Sequence, residues 1–172
     1  MNLLTNPQNP EPRASQPSGG CAPLAGLKDA TRKRILLADD DGSVRDSLAR
    51  LLDLEGFEVI KAVNGRETIS LFSSYSPDLV LLDLNMPVED GWKAFGMISN
   101  AHPFVPVIVI TARPNQYDRG VAAGVDALME KPLDLPILLR AIRRLIHEPQ
   151  KTRFGRLTGR HFKTISLKSS AL

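Results

Sequence analysis

The stretch Pro77-Asp-Leu-Val-Leu-Leu-Asp83 carries the main fold signal of this chain. Four consecutive apolar residues end directly at an acid. A parallel strand that is covered on both faces needs a continuous apolar run, whereas a half-exposed strand alternates. Residues 79–82 are therefore predicted to form a buried central strand that leaves Asp83 at its carboxyl end.

Three other apolar runs also end at polar residues, and this repetition predicts a shared site. Residues 35–38 precede Asp39, Asp40 and Asp41, residues 105–110 precede Thr111, and residues 125–130 precede Lys131. The carboxyl ends of parallel strands meet at one edge of a sheet, so these side chains are expected to converge there. Crowded carboxylates disfavour their own ionised forms unless a cation is present, which predicts a divalent metal with oxygen ligands.

The pattern between these runs predicts an α/β fold. Five short apolar strands alternate with five segments of helical periodicity, which implies right-handed crossovers and a three-layer sandwich. We assign this folded domain to residues 32–148. Residues 1–31 contain five prolines and no apolar periodicity, and we expect a disordered leader there. Residues 149–172 hold six basic residues and no acidic one, and we expect a solvated basic tail, too short for another packed domain.

Charge is distributed unevenly along the chain. The formal net charge is +3, yet residues 35–148 contain 17 acidic and 11 basic residues, a balance of about −6, and the flanks carry about +9. Because the positive charge lies outside the folded part, nucleic-acid binding by the fold itself is not expected. The single cysteine, Cys21, excludes an internal disulfide. Without a long apolar stretch or a secretory signal, a cytoplasmic protein that makes no membrane contact is expected.

The predicted site suits phosphoryl transfer. A divalent cation neutralises charge on a phosphoryl group and orients it against an in-line nucleophile. Asp83 is the expected nucleophile, since a carboxylate can form an acyl phosphate. The hydroxyl of Thr111 and the ammonium of Lys131 are donors of the kind that its oxygens need. Asp41 is left open between an acid beside the metal and a helix N-cap.

Four motifs in sequence order now identify a family resemblance. Residues 35–41, 81–91, 109–112 and 130–133 (ILLADDD, LLDLNMPVEDG, VITA and EKPL) resemble the receiver domain of two-component response regulators. The resemblance implies a flavodoxin-like five-stranded parallel sheet in the order 2-1-3-4-5. It also implies a cis peptide between Lys131 and Pro132.

The resemblance assigns roles to individual residues. It makes Asp39, Asp40 and Asp83 carboxylate ligands of Mg²⁺, and it makes Asn85 a backbone-carbonyl ligand. Asp83 is also the phosphoacceptor, Thr111 the switch hydroxyl and Lys131 the phosphate-binding lysine.

One residue departs from the family pattern. The family usually has Tyr or Phe three residues before the lysine, and this chain has Leu128. Phosphorylation chemistry is expected to survive the change. The usual signal transmission, through the face made by the fourth helix, fifth strand and fifth helix, is put in doubt.

The expected function is that of a stand-alone response regulator, resembling a chemotaxis regulator. It would accept a phosphoryl group on Asp83 from a histidine kinase or phosphotransfer protein, with Mg²⁺, and would catalyse its own phosphorylation and dephosphorylation without being a conventional enzyme. Output would pass through phosphorylation-dependent binding of an unknown downstream protein. The alternative is a receiver-regulated module whose basic tails bind nucleic acid.

Overall fold

The computed structural model of the protein describes residues 32–87, 91–158 and 164–167. The predicted leader, residues 1–31, lies outside the described residues. Strands and helices alternate along the chain. Their bounds are β1 Arg34–Ala38, α1 Gly42–Leu54, β2 Glu58–Ala62, α2 Gly65–Tyr75, β3 Leu79–Asp83, α3 Gly91–Ala101, β4 Val107–Thr111, α4 Tyr117–Ala123, β5 Ala127–Glu130, α5 Leu135–Ile146, α6 Gln150–Thr158 and β6 Ile165–Leu167.

The strands form one parallel sheet in the order β2-β1-β3-β4-β5-β6. The α/β prediction and the order of the first five strands are confirmed, and every residue of the central strands β3 and β4 is buried, as their continuous apolar runs predict. The expected number of strands is wrong, because the residues that the structure describes already form a sheet of six strands. The sequence signal for β6 is weak, since the strand has only three residues and follows a basic segment.

Helices cover both faces of the sheet and make the three-layer sandwich. One face packs α1 and α5 against alternate strand residues, including Leu37, Leu81 and Met129. The other face packs α2 and α3 against the intervening residues, including Leu82, Val109 and Leu128. Strand side chains alternate between the two faces, so each central strand contributes to both apolar layers.

The segment expected to be a solvated tail is partly folded. Helix α6 buries Arg153, whose guanidinium binds both carboxylate oxygens of Asp126, at 2.9 and 3.1 Å. Strand β6 buries Leu167 against the α1/α5 layer. A basic composition therefore does not keep this segment in solvent, because a buried acid at the amino end of β5 provides a partner for one of its arginines.

Among the described helices, none has both the length and the apolarity needed to cross a membrane.

Candidate active site

The predicted acidic site forms at the carboxyl ends of the neighbouring strands β1 and β3. Asp83 is the last residue of β3, and Asp39 directly follows β1. Both are 1% exposed, whereas Asp40 is exposed. One carboxylate oxygen from each of these three residues lies within 4.8 Å of the others. The sheet topology thus brings together two acids that are 44 residues apart in sequence.

Lys131 reaches this cluster from the end of β5, two strands away from β3. Its Nζ lies 2.6 Å from Asp83 Oδ2 and 3.1 Å from Asp39 Oδ2. The peptide bond from Lys131 to Pro132 is cis, as the resemblance implies. One ammonium therefore bridges two buried carboxylates.

Backbone donors hold the other oxygens of the two buried acids. The amide of Asp41 donates to Asp39 Oδ1 at 2.9 Å, and the amide of Asn85 donates to Asp83 Oδ1 at 2.8 Å. Arg45 also donates to the backbone carbonyl of Asp39 at 2.6 Å. These contacts orient both carboxylates before any ligand arrives.

The electrostatics of the site show an excess of buried negative charge. Burial raises the pKa of Asp39, and repulsion from Asp83 adds to this, although the hydrogen bond and charge of Lys131 act in the opposite direction. Burial lowers the pKa of Lys131, but hydrogen bonds and attraction from Asp83 and Asp39 outweigh it, so the net direction is upward. The lysine is held in its charged form between two buried carboxylates.

The donor set fits a small divalent cation. Three carboxylates within reach of one point are hard oxygen ligands, which Mg²⁺ prefers, and exposed Asp40 keeps one side open to water. The side-chain oxygen of Asn85 is also buried beside the site, without a hydrogen-bond partner among the described residues. Asp39, Asp40 and Asp83 are the residues that would hold the metal, with Asn85 adjacent.

Thr111 ends β4, the strand beside β3. It is fully buried, and its Oγ1 accepts a hydrogen bond from the amide of Arg113 at 2.9 Å. No hydrogen bond joins Thr111 to the acids in the part of the chain that the structure describes. The structure therefore places Thr111 at the expected strand end, where its hydroxyl oxygen accepts a hydrogen bond from the β4–α4 loop.

Leu128 is 3% exposed and faces the α2/α3 layer beneath α4. Its Cδ1 would lie 3.1 Å from a Cβ added at Gly120 of α4. The position that usually carries an aromatic switch is thus filled by a closely packed aliphatic side chain.

Two further residues shape the site. Asp41, whose role the sequence left open between an acid beside the metal and a helix N-cap, is the N-cap of α1. Its side chain accepts hydrogen bonds from the amides of Ser43 and Val44.

The sequence did not lead us to predict that position 91 requires glycine. A Cβ there would lie 2.6 Å from the carbonyl oxygen of Asp83 and 2.8 Å from the Cα of Leu84. In the sequence, the requirement for glycine at this position could be inferred only from its place at the end of the motif of residues 81–91. The contact itself is tertiary and leaves no local signal.

A family model described as the response regulator receiver domain matches residues 35–143. The chain belongs to this family. The receiver domain is 40% identical over 115 residues to Response regulator MprA of Mycolicibacterium vanbaalenii, covering 66% of this chain and 50% of that protein. It is 39% identical over 124 residues to Transcriptional regulatory protein PrrA of Mycobacterium tuberculosis, covering 71% and 53% respectively. The chain thus spans about half the length of the curated relatives it matches.

Solved structures of receiver domains align with about two thirds of the chain. A CheY-like receiver domain protein from Methanospirillum hungatei aligns with a TM-score of 0.66 and 28% identity, covering 70% of this chain and 98% of that one. The response regulator TrrA from Thermotoga maritima, in complex with Mg²⁺ and BeF, aligns with a TM-score of 0.61 and 32% identity, covering 66% and 98%. These matches agree with the flavodoxin-like arrangement of the first five strands.

Proposed function

We propose that this protein is a phosphoacceptor response regulator that carries its phosphoryl group on Asp83. The observation that carries the proposal is the bridged pair of buried acids, in which Lys131 lies 2.6 Å from Asp83 Oδ2 while three carboxylates surround one point. A buried carboxylate with an adjacent ammonium is both a nucleophile and the start of a phosphate-binding site. The proposed donors are a histidine kinase or a phosphotransfer protein.

The chemistry follows from the positions of the side chains. A carboxylate oxygen of Asp83 attacks the phosphorus of a phosphohistidine, the new O–P bond forms, and the N–P bond breaks as the imidazole leaves with its electron pair. Lys131 is positioned to move its hydrogen bonds from the carboxylates to the transferred oxygens. Mg²⁺, when bound, supplies neutralisation of the developing phosphoryl charge. Asp39 and Asp40 are the proposed ligands that hold it beside Asp83, and TrrA, whose complex contains Mg²⁺ and BeF, supports this assignment by similarity.

We propose that phosphorylation transmits the signal by changing the affinity of this protein for a downstream protein partner. We propose that the side chain of Thr111 turns toward a phosphoryl group on Asp83 and that its hydroxyl donates to one of the phosphoryl oxygens. In this proposal the turn breaks the hydrogen bond that Thr111 Oγ1 accepts from the amide of Arg113. The acyl phosphate therefore favours a second conformation of the β4–α4 loop. The proposal includes a cytoplasmic location, which rests on family membership alone.

The test is phosphorylation by acetyl phosphate with Mg²⁺, followed by intact-mass spectrometry. The parent protein is expected to gain one phosphoryl group, and Asp83→Asn is expected to gain none, because an amide cannot form the acyl phosphate. Asp53→Asn is the matched control, since Asp53 is an exposed acid of α1 outside the cluster. Equal labelling of Asp83→Asn and the parent would remove Asp83 as the acceptor.

A second candidate function is nucleic-acid binding controlled by the receiver domain. PrrA is named a transcriptional regulatory protein, and this chain matches only 53% of it. The basic residues outside residues 35–148, other than buried Arg153, would supply the contacts with phosphate groups. Duplex binding measured at 50 and 200 mM salt decides it, because contacts with several phosphates weaken by orders of magnitude over that range. No binding at 50 mM salt would exclude this function for the present chain.

A further inference from the structure

Strand β6 covers the outer edge of β5. It pairs in parallel over three positions, with Ile165, Ser166 and Leu167 opposite Ala127, Leu128 and Met129. Without β6, β5 would present unpaired backbone groups along an open sheet edge, where another strand can add. A short strand from the end of the chain therefore occupies a surface that is otherwise suited to strand pairing.

A tyrosine of α4 holds the beginning of this strand. The hydroxyl of Tyr117 donates to the backbone carbonyl of Thr164 at 3.0 Å, and Thr164 is 3% exposed. Tyr117 is the first residue of α4. We call the hydrogen bond from Tyr117 to Thr164 the clasp. It connects β6 to α4, and no backbone hydrogen-bond ladder joins these two elements.

The clasp lies at the end of the loop that begins at Thr111. The loop between β4 and α4 starts where the amide of Arg113 donates to Thr111 Oγ1, and it includes Asn115 in the left-handed conformation, with φ of 60°. Leu128 adds a second connection, because it packs closely beneath Gly120 of α4 and lies opposite Ser166 of β6. A change at Thr111 can therefore reach β6 through α4 and through β5.

Helix α6 has a separate and stronger attachment. Arg153 binds Asp126 with two hydrogen bonds and also donates to the carbonyl of Pro103 at 3.2 Å, in a buried position. This anchor lies at the amino end of β5, whereas the phosphoacceptor lies at the carboxyl edge of the sheet. Loss of β6 pairing thus need not detach α6.

We propose that β6 is a releasable strap, which phosphorylation of Asp83 displaces from the edge of β5; this inference rests on the proposed function. When Thr111 turns to the phosphoryl group, it releases the amide of Arg113, the first turn of α4 moves, and the clasp breaks. The three-residue strand then separates while α6 stays anchored. The backbone groups along the edge of β5 are then exposed to solvent, so phosphorylation is coupled to release of the strand that covers this edge in the unmodified protein.

The experiment is hydrogen exchange on the full chain with and without Mg²⁺ and beryllofluoride, a mimic of the acyl phosphate. Amides of residues 164–167 are expected to exchange at least about fivefold faster when the mimic is bound. A change of this size corresponds to losing the protection that one hydrogen bond provides. Amides of residues 150–158 should keep their rates. Fluorine NMR of the same samples establishes that the mimic is bound.

Two tyrosine variants test the clasp without any phosphoryl mimic. Tyr117→Phe removes only the hydroxyl, so exchange at residues 164–167 should rise about fivefold in the unmodified protein. Tyr75→Phe, at an exposed tyrosine of α2, should leave these rates unchanged. Unchanged exchange in Tyr117→Phe would show that the clasp does not hold the strand.

The outcomes separate the inference from the function on which it rests. If acetyl phosphate fails to label Asp83, both the phosphoacceptor proposal and the strap proposal are wrong. If Asp83 is labelled and the mimic binds, but exchange at residues 164–167 stays constant or slows, the strap is wrong and the phosphoacceptor proposal stands.

Discussion

At the scale of single residues, Lys131 stabilises an arrangement that the acids alone would oppose. Asp39 has a raised pKa, so the folded state binds its proton more tightly than the unfolded state, and ionisation lowers stability as pH rises above about 4. The pKa of Lys131 is also raised, so its charge contributes stability through neutral pH and loses it only as pH rises through the folded-state pKa. The site is therefore a compromise between destabilising acids and one stabilising cation.

Gly91 provides the residue-scale prediction. Gly91→Ala is expected to lower the free energy of unfolding by about 2 kcal/mol, because the new Cβ overlaps the backbone of Asp83 and Leu84, which cannot move aside as a flexible side chain could. Acetyl phosphate labelling of Asp83 should slow as well, since the clash displaces the phosphoacceptor strand. Urea unfolding and timed mass spectrometry measure the two effects.

The matched control is Gly96→Ala in the same helix. A Cβ at Gly96 meets no atom within 4 Å, and the position lies inside α3. Alanine there should stabilise the protein by up to about 1 kcal/mol. If both variants had the same stability as the parent, the steric account of Gly91 would be wrong.

At the scale of secondary-structure elements, a buried ion pair attaches helix α6 to the sheet. Asp126 precedes β5, accepts the amide of Val107 at 2.8 Å and receives both terminal nitrogens of Arg153. The same acid thus organises the start of β4 and the docking of α6. Bidentate geometry and burial make this pair different from the exposed ion pairs on the surface, whose contribution is small.

Arg153→Met is expected to lower the free energy of unfolding by about 3 kcal/mol, because it leaves the Asp126 carboxylate buried without its cation. Lys151→Met, an exposed basic residue of the same helix, should change it by less than about 0.5 kcal/mol. Chemical unfolding of both variants makes the comparison. A loss in Arg153→Met no larger than that in Lys151→Met would mean that α6 is held by other contacts.

At the scale of the whole molecule, the residues proposed for phosphoryl transfer and the strand that protects the sheet edge lie in different parts of the sheet. The acidic edge, at the carboxyl ends of β1, β3 and β5, holds the residues proposed for phosphoryl transfer, all of which precede residue 132. Strand β6 extends the sheet on its β5 side, away from the pair of strands that carry Asp39 and Asp83. Chemistry and edge protection therefore depend on different parts of the chain.

A chain ending at residue 158 tests this separation. It is expected to lose about 2 kcal/mol of stability, mostly from the buried side chain of Leu167, and to keep labelling of Asp83 by acetyl phosphate. A chain ending at residue 167 retains β6 and serves as the control. Thermal unfolding and intact mass are the measurements, and loss of labelling in the shorter chain alone would show that β6 supports the active site directly.

The α/β class, the first five strands and the places of the site residues along the chain could be predicted from the sequence alone. The buried strands follow from local signals, since a continuous apolar run specifies a buried strand and the polar residue after it lies at the carboxyl edge of the sheet. The convergence of Asp39, Asp83 and Lys131 was predictable for this reason. Their roles as phosphoacceptor and ligands remain predictions.

The sixth strand, the anchor of α6 and the clasp depend on tertiary contacts that the sequence did not reveal. Strand β6 is three residues long, and its pairing depends on an available edge of β5 rather than on its own composition. In the sequence, Arg153 cannot be distinguished from the other basic residues of the tail. The structure shows that its partner is buried Asp126, which lies 27 positions earlier in the chain. Tyr117 likewise meets Thr164 across 47 positions. Such contacts depend on which groups the fold leaves unsatisfied nearby, and local sequence carries no record of that.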